Sequence, residues 1–161
     1  MLRLSKLTDY GTVIMSYMAR RPTGLHSAAD LALALGVTLP TASKILKRLV
    51  RAELLQSVRG AQGGYRLSRS PEQISVTEVI DALEGPFGVT ECSAVVGLCS
   101  QEAGCPIRSH WQGLNQLIRH TLDRVTLADM SRPRLRPDLG AEALSLQRMA
   151  PRPRGTTGAN R

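Results

Sequence analysis

Two short strand-like runs around a glycine-rich tip restrict this chain more than any other feature. Leu54-Leu55-Gln56-Ser57-Val58 reads as one strand and Tyr65-Arg66-Leu67 as its partner, with Arg59-Gly60-Ala61-Gln62-Gly63-Gly64 between them. The hairpin follows two helical patterns joined by a short turn. Ser27 caps a helix from Ala28 to Leu35 that faces Leu31 and Leu35 inward, and Gly36-Val37-Thr38 turns the chain. A further helix runs from Leu39 to Ala52, with Pro40 in its first turn, where the missing N–H costs nothing. Ala42, Ile45, Leu46 and Leu49 form its inner stripe, and Thr41, Ser43, Lys44, Lys47, Arg48 and Arg51 project outward. Two helices, the second cationic outside, followed by a hairpin make a winged helix-turn-helix. The fold expected is mainly α, with a small β-hairpin wing and a long C-terminal dimerisation helix.

Each part of that module has a distinct use on a duplex. Thr41, Ser43 and Lys44 at the front of the second helix are placed to read bases, while Lys47, Arg48 and Arg51 suit phosphates. Arg59 on the wing can lie along the minor groove, whose negative potential attracts it. Gly60, Gly63 and Gly64 permit the wing's turn and Tyr65 closes it. A nucleotide phosphate loop is the competing reading of these glycines. Against it, no G-x-x-x-x-G-K-[ST] follows and no helix begins after Gly64.

The charge distribution agrees. Residues 1–70 carry eleven Lys and Arg against three Asp and Glu, whereas residues 71–130 carry three against eight. A basic first half beside an acidic middle fits a polyanion-binding module joined to something else. The first helix is expected from Tyr10, Val13, Ile14, Tyr17 and Met18 on one face, with Thr8 or Asp9 near its start, and Arg20-Arg21-Pro22-Thr23-Gly24 ends it. Aromatics make up only 3% of the chain, so its core must be built from Leu, Val, Ile and Ala. No run approaches the ~18 apolar residues of a membrane span and the start of the chain has no apolar signal region, so a cytoplasmic protein without a membrane partner is expected.

All three cysteines fall in one stretch. Cys92, Cys99 and Cys105 are spaced C-x6-C-x5-C, in a loop with Gly97 and Gly104 and little that could fill a core. An odd number leaves no complete set of internal disulfides. Three thiolates on one loop form a soft-ligand site for an iron–sulfur cluster or zinc, although no C-x2-C knuckle of a zinc finger is present. The alternative is three small buried hydrophobes. Ahead of the loop, Ser75 or Thr77 caps a short helix through Leu83, helped by Glu78, and Gly85-Pro86 breaks it. After the loop, Ile107, Trp111, Leu114, Ile118, Leu122 and Val125 recur at steps of three and four. That long apolar stripe suits a two-fold seam, and Thr126 to Met130 reads as a final capped turn. Beyond Ser131 the chain carries four prolines and seven arginines, and a disordered basic tail is expected, with a transient helix from Gly140 to Met149.

The opening Met1-Leu2-Arg3-Leu4-Ser5-Lys6-Leu7-Thr8-Asp9-Tyr10, the wing Arg59 to Tyr65, and Val76-Thr77-Glu78-Val79-Ile80 ahead of the cysteines resemble the IscR/NsrR family of bacterial iron–sulfur transcription regulators. The likeness covers about residues 1–130 and is nearest to the branch that regulates the SUF iron–sulfur assembly operon. It implies a homodimer on double-stranded DNA through an antiparallel pair of long helices, with each cysteine loop beside the partner's DNA-binding domain. It also implies an iron–sulfur cluster, 2Fe–2S rather than 4Fe–4S, held by Cys92, Cys99 and Cys105. One branch takes its fourth ligand from a histidine three residues after the last cysteine, but Arg108 stands there. Another borrows an N-terminal aspartate from the partner subunit, and Asp9 matches that position better than His110 serves as a substitute. Glutamate stands at position 43 in the best-known relative, so Ser43 leaves the operator open.

The division expected is a DNA-binding domain over 1–84, a cysteine loop over 85–105, a dimerisation helix and final turn over 106–130, and a tail over 131–161. The function expected is a cluster-sensing transcriptional regulator, in the repressor sense, acting on SUF genes. Alternatives are a nitric-oxide or redox sensor controlling stress genes and a zinc-stabilised scaffold. An enzyme is not expected, because His26, His110 and His120 accompany no nucleophile motif.

Overall fold

The structure is a computed structural model that describes residues 4–60 and 62–132, so the expected tail lies outside the described residues from 133 on, with its transient helix, while Ser131 and Arg132 at its start end the last helix of the fold. Helix α1 spans Lys6–Ala19, α2 Ala28–Leu35 and α3 Leu39–Arg51. Strands β1 (Leu55–Val58) and β2 (Gly64–Leu67) follow, then α4 (Val76–Glu84), α5 (Glu91–Ala94), α6 (Arg108–Asp123) and α7 (Leu127–Ser131). Single 3-10 turns at Pro71–Gln73 and Glu102–Gly104 complete the order. The strands pair antiparallel from Leu55 opposite Leu67 to Val58 opposite Gly64, which makes the expected winged helix-turn-helix.

The helix starts are set by short polar side chains that accept from otherwise free backbone N–H groups. Ser27 caps α2 through the Asp30 N–H at 3.0 Å. Ser75, not Thr77, caps α4, and Glu78 reaches back to the Ser75 N–H at 2.9 Å to complete a capping box. The cap of α1 is Ser5 rather than Thr8 or Asp9. Its buried face is accordingly Thr8, Gly11, Ile14, Met15 and Met18, and Tyr10 and Val13 stand exposed. Gly11 is the closest approach in this face: a Cβ there would overlap the Leu83 side chain of α4.

The main core joins Ile14, Met15 and Met18 of α1 to Leu31 of α2, Ile45, Leu46 and Leu49 of α3, Leu55 and Leu67 of the wing strands, and Val79 and Leu83 of α4. Leu127 belongs to it too. The turn after α6 therefore returns to the DNA-binding module, where Val76 N–H donates to the Val125 carbonyl at 2.9 Å and Leu127 N–H to that of Ile74 at 2.8 Å. A second small core of Val76, Ile80 and Val125, with Leu122 against it, seats the end of α6 on α4.

Candidate DNA interface and cysteine site

The axes of α2 and α3 are bent by 120° across the turn, the angle at which a second helix can stand clear of the first. Gly36 in the left-handed region (φ 65°) makes that turn. On α3, Lys44, Lys47 and Arg51 are exposed, and Thr41 and Ser43 are half-buried beside them. Thr41 Oγ1 is engaged with Thr38 Oγ1 at 2.8 Å, and no side chain caps the α3 backbone. Arg48 departs from the outward expectation. It is half-buried and its Nη1 donates to the Leu83 carbonyl in the last turn of α4, at 2.5 Å.

Arg59 and Gly60 are exposed at the wing tip, and Gly60 holds a φ of 122° that a side chain would resist. Gly63 serves closeness rather than φ, because a Cβ there would overlap the Val58 carbonyl. Tyr65 is half-buried and anchors the wing: its backbone pairs with His26 through bonds of 2.8 and 2.9 Å. Those backbone bonds tie the base of the wing to the segment before α2. Arg66, a cation outside the expected DNA-facing set, lies on the exposed wing face and donates to Gln56 at 3.1 Å. The alternation of Tyr65, Arg66 and Leu67 is the signal that places it there.

The cysteine segment is better packed than its glycines suggest. Cys92 opens into α5, is 6% exposed and lies 3.3 Å from Thr90 Oγ1, while Cys99 and Cys105 are half-buried. None of the three is in a disulfide. Both ends of the segment are fixed. At its start, Asp81 accepts from Phe87 N–H at 2.9 Å and from both Arg119 Nη atoms at 2.7 and 3.1 Å. That carboxylate bond holds the Arg119 guanidinium above its usual pKa. The Asn115 side chain, buried on α6, accepts from Val89 N–H and donates to the Ser93 carbonyl. Further along, buried Glu102 accepts from Gly97 N–H and pairs with Arg108, each at 2.5 Å. Arg108, where one branch of the family has a ligating histidine, is thus committed to a carboxylate inside the loop.

Three free thiols on one loop fit an iron–sulfur cluster in donor chemistry. Among the described residues, however, no three His, Cys, Asp or Glu side chains are close enough together to hold a metal ion. Asp9 is exposed on α1 and His110 is exposed on α6. The α6 stripe divides along its length. Ile107 and Leu114 are exposed, Trp111, Ile118 and Leu122 are half-buried, and Val125 is buried. Leu117 joins the exposed side.

Residues 4–133 match the Rrf2 family, described as iron-dependent transcriptional regulators. The chain belongs to the Rrf2 family. Among curated relatives, this Rrf2 chain is 35% identical over 130 residues to the helix-turn-helix-type transcriptional regulator ORF2 of Azotobacter vinelandii, covering 80% of this chain and 79% of that one. It is 34% identical to protein aau3 of Rhizobium meliloti, across 76% and 75% of the two chains. Among solved structures it is similar to CymR of B. subtilis, the global cysteine regulator, at 29% identity and a TM-score of 0.64, over 81% of this chain and 97% of that one. IscR of T. potens is similar at 32% identity and a TM-score of 0.61, over 80% and 85%. The winged helix-turn-helix of this Rrf2 chain is that of a DNA-binding transcriptional regulator, not an enzyme. No single helix among the described residues is long and apolar enough to cross a membrane.

Proposed function

We propose that this Rrf2 protein is a homodimeric regulator, in the repressor sense, whose DNA affinity follows an iron–sulfur centre held by Cys92, Cys99 and Cys105. The observation that carries the reading is the position of the thiols: all three sit on one segment whose two ends are tied to α4 and α6, directly beside the DNA-binding module. Asp9 of the partner subunit completes the set, since Asp9 is exposed and Arg108 is held by Glu102. A 2Fe–2S centre would supply a redox-sensitive cross-link between the three thiolates and a weak oxygen ligand. Control of SUF assembly genes is the target class that the sequence resemblance supports.

The protein's own residues do the rest. Thr41, Ser43 and Lys44 read bases, Lys47 and Arg51 meet phosphates, and Arg59 enters the minor groove with Gly60, Gly63 and Gly64 shaping its approach. Exposed Ile107, Leu114 and Leu117 form the dimer seam. Closing the three thiols together moves the loop against the partner's α1, and a coupling of ~1–3 kcal/mol changes operator occupancy about 5–150-fold.

Oxygen-free purification with a visible spectrum and an iron count tests the centre. Brown protein with bound iron, whose operator binding drops on Cys99→Ala, is expected. A colourless, iron-free preparation that binds DNA equally with and without Cys99 defeats the proposal. The likeness to CymR, together with three free thiols that form no metal-holding group among the described residues, favours a second reading: a regulator that responds to cysteine supply through thiol chemistry. Under that reading the colourless protein changes its DNA affinity on thiol oxidation.

A further inference from the structure

The last turn of α4 touches four parts of the molecule. Asp81 holds Phe87, at the start of the cysteine segment, and Arg119 of α6. The Leu83 carbonyl receives Arg48 of α3, and the Glu84 carboxylate accepts from Ser5 N–H at 2.7 Å and from Thr8 Oγ1 at 2.6 Å at the start of α1. Gly85, with φ 93°, ends the helix and releases the chain into the cysteine segment. One short stretch, Asp81 to Gly85, is thus bonded to the reading helix, to the helix bearing Asp9, to the loop and to α6.

Arg48 is the one cation named on α3 that a backbone carbonyl already occupies. A guanidinium at 2.5 Å from a helix-end carbonyl satisfies an acceptor that the helix itself leaves open, and cations at helix C-termini are favoured by the dipole. Its charge also lies beside Glu84, whose carboxyl is held below its ordinary pKa by the Thr8 hydroxyl first, then by Ser5, with Arg48 contributing. Lys44, Lys47 and Arg51 are exposed and lack such a tether among the bonds described.

We propose that Arg48 is a positioning residue, the peg that seats the reading helix on the end of α4, and that the Asp81–Gly85 turn carries displacement of the cysteine segment to α3 through it. This rests on α3 being the DNA-reading helix, but not on which group the cysteines bind. When the segment pulls on Phe87, the strain reaches Asp81 and, two residues on, the Leu83 carbonyl. The angle of α3 then changes without any change in the cations that face the duplex.

The probe is a duplex selected from a random-sequence pool on the full-length wild-type protein, titrated at several salt concentrations. Each phosphate that the protein neutralises adds about one to the steepness of log affinity against log salt. Arg48→Met is expected to weaken binding about tenfold with the slope unchanged, whereas Lys47→Met makes the slope shallower by about one for each subunit, about two for the dimer. A slope that falls equally for both variants, or full affinity in Arg48→Met, overturns the proposal. If Lys47→Met also leaves the slope unchanged, α3 is not the DNA face and both readings fail together. Where Arg48→Met does not fold, Arg48→Lys decides: a phosphate-binding position tolerates lysine, whereas the peg loses affinity at constant slope. Arg48→Met combined with Asp81→Asn tests the turn. Non-additive losses in affinity support transmission through it, and additive losses overturn it.

Discussion

Glu102 and Arg108 form an ion pair 2.5 Å long that closes the middle of the cysteine segment onto the start of α6. The carboxylate is nearly enclosed, with the Glu102 side chain 9% exposed, while the Arg108 side chain is 36% exposed. Glu102 also accepts from Gly97 N–H, so one buried group organises the stretch between Cys92 and Cys105.

Replacing that carboxylate should loosen the segment and leave the winged module folded. Glu102→Ala is expected to cost about 1–2 kcal/mol locally, less than a fully buried pair because Arg108 reaches solvent. Hydrogen exchange read peptide by peptide checks this. Faster exchange around Gly97 with unchanged protection in α3 is expected.

The wing should be sensitive at Gly63 for a steric reason. A methyl there overlaps the Val58 carbonyl, and relieving it distorts the tip at a cost of about 1–3 kcal/mol. Gly63→Ala is expected to weaken DNA binding and to lower the melting temperature by several degrees, as a strain of that size requires. Binding at the wild-type level would place the wing away from the duplex.

Acid should weaken the fold through two capped carboxylates. Glu84 lies below its ordinary pKa because of the Thr8 hydroxyl and Ser5, and Asp129 because of the Thr126 hydroxyl and N–H. A depressed folded pKa means that the unfolded chain binds the proton more readily. The stability they contribute is therefore present above the ordinary carboxylate range, about pH 4, and is lost as pH falls through the lower folded values. Urea melts from pH 7 to 3 should show that decline, and Glu84→Gln should flatten it.

Capping of α4 is separable from acid effects. Ser75→Ala removes the acceptor for Glu78 N–H and is expected to cost about 1 kcal/mol, seen as a lower urea midpoint with an unchanged slope.

The dimer seam can be tested on α6 without touching the core. Leu114 and Leu117 are 48% and 44% exposed, so Leu114→Asp with Leu117→Asp should leave the monomer's melting behaviour intact. Sedimentation should show dimerisation weakened by at least about tenfold. A dimer of undiminished affinity would move the seam elsewhere.

Much of this architecture is legible from periodicity and punctuation. Ala42, Ile45, Leu46 and Leu49 are buried as their spacing requires, and Ser27, Gly36 and Pro40 stand where a helix starts, stops and starts again. Met15 and the Ser5 cap are hidden because Tyr10 and Val13 fit the same helical period one step round, and only the neighbours decide which face turns inward. Arg48 misleads for a similar reason. An arginine on a cationic face looks like its neighbours until the Leu83 carbonyl is in place. Asn115 does leave a trace, as the polar residue four after Trp111 within an apolar stripe. Its partners, Val89 and Ser93, lie far back in sequence and cannot be inferred from it. The thiols are visible as a cluster in sequence, but spacing carries no information on how a loop folds, and among the described residues the structure does not gather all three into one metal-holding group.

Leu127 is 2% exposed within the same core as Ile14 and Leu46, and Ser16 reaches across to the Met130 carbonyl at 3.0 Å. The chain therefore leaves its first domain at Gly85, makes a long excursion, and comes home to finish that domain's interior. A proteolytic fragment ending at Cys105 would lack the plug for its own apolar centre. Thr126 pairs with Ser75 at the start of α4, a helix length away from Glu84, so replacing the excursion by a flexible linker from Glu84 to Thr126, rather than a direct splice, should do less harm to the reading head than simple truncation does.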